Sequence, residues 1–229
     1  MKLFAIADLH LNGNSNKPMD VFGEKWENHA EHLSDAWQNI VSREDLVLIP
    51  GDISWAMRFD DVLDDLQFIS KLNGRKILIR GNHDYWWASP SRIRSVLPPD
   101  IKIIQNDSVK MNSFAVAGSR GWQLPGTPNF DASVDTKIYA RELIRLELSL
   151  KSAGEMPVVL MTHFPPIGEN GEATGVTDLI DRYNVTDVLY GHLHAGSCRQ
   201  AFEGEFNGKN YYLCSADYLN FKPRLIREF

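Results

Sequence analysis

Five short apolar runs, each ending in a polar cluster, constrain this chain more than any other feature. The runs occupy residues 3–7, 46–49, 77–79, 158–161 and 188–190 and are rich in Leu, Ile and Val. Short runs of this kind, separated by stretches of helical periodicity, read as parallel strands buried on both faces. The clusters are Asp8-Leu9-His10, Gly51-Asp52, Gly81-Asn82-His83-Asp84, Thr162-His163 and Gly191-His192-Leu193-His194. In a parallel sheet the carboxyl ends of the strands share one edge, and ligands bind there. Polar clusters at five strand exits therefore meet in space.

The residue types point to a metal site. Asp8, His10, Asp52, Asn82, His163, His192 and His194 offer oxygen and nitrogen donors and no thiolate. One divalent ion seldom takes more than about four to six protein donors, and structural zinc normally involves cysteine. Two ions about 3.5–4 Å apart, sharing a carboxylate, use the whole set and leave room for water and substrate. In Asp-x-His and His-x-His on an extended segment, alternate side chains share a face and reach one centre. Glycines before Asp52, Asn82 and His192 let the backbone turn off the strand without a Cβ clash.

The ordered motifs, from Asp8 to His194, resemble those of the calcineurin-like metallophosphoesterase superfamily, and every metal-ligand position of that pattern is filled. The resemblance implies that Asp8, His10, Asp52 and His194 hold one metal. Asp52 bridges, and Asn82, His163 and His192 complete the second. It also implies an α/β fold with four layers, two mixed sheets face to face and helices outside. Sequence pattern by itself reaches only "α/β", in one domain across 229 residues.

Two cations sharing Asp52 lower the pKa of a water between them, and the resulting hydroxide attacks phosphorus in line. His83, beside Asn82 but not a ligand in the resembling family, is the natural acid for the leaving oxygen. Asp84 either orients His83 and raises its pKa, which is the favoured reading, or supports a ligand histidine. Arg120 follows an apparent strand at 114–117, where it either clamps a phosphate or forms a salt bridge. Trp55, Tyr85, Trp86, Trp87 and Trp122 follow site-edge motifs closely. They form either an aromatic wall for substrate, with Trp86 and Trp122 as the chief candidates, or core packing.

Protein serine/threonine phosphatases carry Gly-Asp-x-Val-Asp-Arg-Gly, whereas this chain reads Gly51-Asp52-Ile53-Ser54-Trp55-Ala56-Met57-Arg58. The missing arginine argues against a phosphoprotein and for a small phosphorylated molecule or a phosphodiester. The alternatives are a nuclease or cyclic-nucleotide phosphodiesterase and, from another class, a silent scaffold; intact metal ligands speak against the scaffold. A net charge of −6 and the lack of a basic stripe argue against nucleic acid. The metal expectation is two divalent ions, manganese first, with iron, zinc and nickel equally suited to oxygen and imidazole.

Cys198 and Cys214 lack metal-ligand spacing and read as reduced residues of C-terminal strands, as in a cytoplasm. The N-terminal apolar run is too short for a membrane span. Apolar spacing predicts helices over 24–41, 60–72 and 136–152, and a short one opened by Ser89-Pro90-Ser91. His29 and His32 lie on the first of these as core or surface residues, not ligands. Asn207-Gly208 predicts a hairpin between strands at 197–206 and 210–215. Two long loops, 118–134 and 164–176, are expected to wall the site.

Overall fold

The computed structural model of the protein describes residues 1–12 and 19–229. Along the chain come β1 (Lys2–Ala5), α1 (His29–Ile40), β2 (Leu46–Ile49), α2 (Leu63–Lys71), β3 (Arg75–Leu78), α3 (Pro90–Arg94), β4 (Ile101–Ile103), β5 (Ser108–Lys110) and β6 (Ala115–Ser119). They are followed by α4 (Ala132–Ala153), β7 (Val158–Thr162), α5 (Gly175–Ile180), β8 (Val185–Tyr190), β9 (Gly204–Phe206), β10 (Lys209–Leu213) and β11 (Arg224–Glu228).

The strands form two mixed sheets, ordered β11-β1-β2-β3-β4 and β5-β6-β7-β8-β10-β9. Strands β1 to β4 are parallel and β11 closes that edge antiparallel. In the second sheet β6, β7, β8 and β10 are parallel, flanked by antiparallel β5 and β9. Leu3, Ala5, Leu48 and Ile77 meet Val116, Val159, Met161 and Leu189 between the sheets. The alternate residues Phe4, Val47 and Leu78 face a second core that contains Leu33, Trp37, Leu66 and Ile69 of α1 and α2. Ala117 and Leu160 share a third with Leu146 and Leu150 of α4 and Leu179 of α5. Period-two alternation with both faces apolar is what produces the layered order helix, sheet, sheet, helix.

Several expected boundaries differ. The helix expected over 24–41 breaks, because Asn28 adopts a left-handed conformation (φ 50°) between a 3₁₀ turn at Glu24–Trp26 and α1. Helix α4 starts earlier than expected because Asp131 caps it, accepting from the Ser133 N–H at 2.9 Å. The hairpin turns at Asn207-Gly208, both with positive φ, but its first strand is short. Cys198 therefore lies in a 3₁₀ turn, Ala195–Gln200, and not in a strand. Among the described residues, no helix is long and apolar enough to cross a membrane.

Candidate metal centre

All seven expected donors converge at the carboxyl edge of the sheets. The exit loops of β1 and β2 continue each other's pairing, with Asp8 N–H donating to Gly51 O at 2.9 Å and His10 N–H to Asp52 O at 3.0 Å. The β1 exit also bonds to the second sheet through Ala7 N–H to Cys214 O at 2.7 Å. Asp8, His10, Asp52 and His192 all have positive φ, at 59°, 45°, 52° and 74°. Such non-glycine geometry is costly and gathers at functional sites. Two glycines serve close approach: a Cβ on Gly81 would lie 2.0 Å from Asp52 Oδ1, and one on Gly191 would lie 2.3 Å from Asp8 Oδ2.

The donors form two groups that share Asp8: Asp8, His10 and His194, and Asp8, Asp52 and His163, with ligand atoms within 4.8 Å in each. Asp52 Oδ2 stands 3.8 Å from His10 Nε2 and 3.4 Å from His163 Nε2, so a single carboxylate oxygen faces both groups. Its Oδ1 accepts from the His83 N–H at 2.8 Å. Asn82 Oδ1 sits 2.6 Å from His163 Nε2 and 2.8 Å from His192 Nδ1. His10 and His194 face each other through Nε2 at 3.4 Å.

The electrostatics call for positive charge at the centre. Asp8 and Asp52 are buried, and among the described residues neither forms an ion pair with a lysine or arginine. Burial opposes ionisation of both, but His194 and His163 hold Asp8 below the usual carboxylate range, and His163 and His10 do the same for Asp52. In turn, against burial, Asp52 and Asp8 push His163 up to about 9, while Asp217 and Asp8 push His194 up to about 10. Burial instead lowers His10 to about 4, and burial with the neighbouring His163 lowers His192 to about 3. Oxygen and imidazole donors around two buried carboxylates fit divalent cations.

Orienting contacts complete the centre. His163 Nδ1 donates to Pro50 O at 3.0 Å. His194 Nδ1 bonds Asp217 Oδ1 at 2.9 Å, and Asp217 Oδ2 accepts from the Ala195 N–H at 2.9 Å. Asp217 stands in no sequence motif, although it follows β10 as the motifs follow their own strands. Carboxylates behind ligand histidines fix ring orientation and basicity. The His10 ring stacks on Trp55, with centroids 4.9 Å apart at 19°.

Two expectations need correction. Asp84 does not orient His83 through its carboxylate oxygens. They accept from the N–H groups of Ile53, Ser54 and Gly81 and from Trp86 Nε1, tying the second and third motif loops together. Burial, with the Asp52 charge beside it, pushes Asp84 up to about 7. Trp86 is not a substrate contact: it is 2% exposed and packs in the core under α1 and α2. Trp87 is also buried, donating to Gln105 Oε1 at 2.7 Å, and only Tyr85 of this run is exposed. No continuous aromatic wall forms there. His83 remains half-buried at the centre, its ring 4.6 Å from Trp55 and 5.8 Å from His10 between centroids.

Arg120 donates to Glu142 Oε1 at 3.3 Å and lies over the Trp122 ring. Trp122 donates to Asp135 at 2.8 Å and, with Phe164 and Ile167 from the other long loop, lines a cavity of about 490 Å³ that reaches His192. The long loops do wall a space beside the centre. His29 is buried against Trp26 and Phe221, and His32 is exposed.

A calcineurin-like phosphoesterase family model matches residues 1–196. The chain belongs to that family. As a calcineurin-like phosphoesterase it is a metal-dependent hydrolase acting on phosphoester bonds. It is similar to the Gene 66 protein of Mycobacterium phage L5, 36% identical over 189 residues, which are 82% of this chain and 75% of that protein. The Gene 66 protein of phage D29 is 28% identical over 167 residues, 73% of this chain and 66% of the relative. Its fold resembles a protein of unknown function from Aquifex aeolicus (TM-score 0.55, 16% identity, covering 98% of this chain and 95% of that one). It also resembles phosphopantetheinyl hydrolase from Mycobacterium tuberculosis (TM-score 0.59, 15% identity, covering 100% and 96%).

Proposed function

We propose that this phosphoesterase hydrolyses a small phosphorylated molecule, as a monoester or diester. Asp8, His10, Asp52 and His194 would hold one divalent ion, and Asp52, Asn82, His163 and His192 would hold the other. The observation that carries the small-molecule reading is the cavity of about 490 Å³ between the two long loops and His192. Its volume is that of a small-ligand pocket, about 300–1,000 Å³. Trp122, Leu124, Phe164 and Ile167 give it an apolar wall for the leaving group.

Divalent cations held there would supply neutralisation of the phosphoryl oxygens and a more acidic bound water. Manganese is the working choice among manganese, iron, zinc and nickel. The chain's own groups do the rest. Asp52 presents one oxygen to both ligand groups. Asp84 fixes the loop on which Asn82 and His83 stand. His83, whose Nδ1 is buried, presents Nε2 to the leaving oxygen and hands it a proton. Two free cysteines suit a reducing compartment, and we place the protein in the cytoplasm.

The test is a screen of protein loaded separately with each of the four metals against para-nitrophenyl phosphate, its bis-ester and a panel of nucleotides. Turnover of small esters is expected. Cleavage confined to oligonucleotides or phosphoproteins would overturn the reading.

A further inference from the structure

The same sheet edge carries a second polar pocket. Next to the Asn82 and His163 side of the centre, a cavity of about 100 Å³ opens among the exits of β3, β4 and β6, lined by Arg80, Gln105, Arg120, Glu142 and Arg145. That is room for one tetrahedral anion or a few waters. Arg80 directly precedes Gly81-Asn82. The Arg120 carbonyl accepts from the N–H groups of His163 and Phe164, both at 3.0 Å. Two of the arginines are thus fixed to the same backbone as two metal-ligand candidates.

The pocket is over-supplied with cationic donors. Glu142 is the one carboxylate in its lining. Its Oε1 accepts from Arg120 at 3.3 Å and Arg145 at 2.7 Å, and its Oε2 from Ser119 Oγ at 2.9 Å. Three guanidinium groups against one carboxylate leave two formal positive charges. The Nε atoms of Arg80 and Arg120 are buried and find no acceptor among the described residues. Buried donors normally find acceptors, and a phosphate dianion satisfies guanidinium groups in pairs and matches the surplus charge.

We propose that this pocket is a subsite for a second phosphate group on the molecule whose phosphoester meets the metal centre, so that the preferred substrates are bisphosphorylated. The proposal rests on the small-molecule reading above. It explains why arginines cluster beside the centre in an acidic protein.

Calorimetric titration of inorganic phosphate into chelator-treated protein tests the pocket without activity. Arg80→Gln and Arg145→Gln should each weaken binding by ~10-fold or more. Glu142→Gln removes the opposing charge and should tighten it, a gain that misfolding cannot mimic. No phosphate binding, or binding indifferent to all three changes, would overturn the site. In metal-loaded protein, a nucleoside 3′,5′-bisphosphate should be preferred over the matching monophosphate in kcat/KM, and Arg145→Gln should cut that preference ~10-fold. Equal losses on both substrates would overturn the subsite assignment. Arginine-dependent phosphate binding without turnover of any small ester in the screen above would instead overturn the small-molecule reading and leave an anion pocket.

Discussion

The two halves of the centre are built by different means. On the His163 side, the imidazole is fully buried and held by a backbone carbonyl, Pro50 O. On the His194 side, the side chain is 30% exposed and held by a carboxylate, Asp217. A carbonyl orients a ring and adds no net charge, whereas a carboxylate also makes the ring more basic. Asp217 further lies outside residues 1–196, the span matched by the family model. The C-terminal segment therefore completes one half of the site, whereas the other half is finished within residues 1–196. The half near His194 should be the one that exchanges its ion more readily and responds to single side-chain changes.

The largest effect should erase the contrast. Asp52→Asn removes the oxygen that faces both halves, so metal content should fall in both. Activity should drop by ~10³-fold or more, since several kcal/mol of charge stabilisation is lost. Elemental analysis beside a para-nitrophenyl phosphate assay checks it; retained activity would mean the chemistry lies elsewhere. His83→Asn leaves both ligand sets intact. It should keep both ions and lose ~10²–10⁴-fold on esters whose leaving group needs a proton. The loss should be much smaller on an activated phenyl ester, which expels a stable anion. Equal losses on both esters would assign His83 to charge stabilisation, and loss of one ion would assign it to support of one half.

How far the centre could be read in advance depended on whether a signal was local. The five motifs were legible because strand pattern and polar residue are adjacent, and because parallel strands force their exits together. Asp217 stands at another strand exit, after β10, yet a lone aspartate in Ser215-Ala216-Asp217 carries no motif. Asp84 and Trp86 show the converse. Adjacency to His83 suggests chemistry, but adjacency does not say where a side chain points: Asp84 turns inward to tie its loop to Ile53 and Ser54, and Trp86 packs in the core and donates to Asp84. The break at Asn28 was hidden because apolar spacing continues across it. Arg80 gave no sign in sequence, since the cavity that makes it matter is formed by β4, β6 and α4.

Asp217→Asn probes the contrast itself. The histidine keeps its place but loses the charge behind it, which should cost ~10–100-fold in affinity for one ion and much less for the other. Stepwise dialysis against a chelator, with metal counted at each step, should show two phases drawn apart relative to the unaltered protein. Two ions leaving together would mean that the halves behave as one unit and that the structural asymmetry has no energetic counterpart.

The smallest effect is the pH dependence of the metal-free protein. His163 and His194 are raised from 6.5 to about 9 and about 10, so the folded state binds more protons than the unfolded state above pH 6.5. Their contribution is complete below that pH and is lost as pH rises through 9 to 10. His10 and His192 are lowered to about 4 and about 3, so they act in the opposite sense, and stability rises with pH up to 6.5. The depressed Asp8 and Asp52 add to the acid-side loss, because their contribution disappears as pH falls below 3.8. Asp84, raised to about 7, adds stability that is lost as pH rises through 7, so the Tm of chelator-treated protein should peak slightly below pH 6.5 and decline toward pH 10. Saturating divalent metal should flatten the alkaline decline, because coordinated histidines no longer hold those protons. Asp217→Asn should move the alkaline loss to lower pH by making His194 less basic, while the part due to His163 stays in place. A metal-free Tm that is level from pH 6.5 to 10 would show that these two histidines are not held protonated by the carboxylates, and the charge argument for the centre would fall with it.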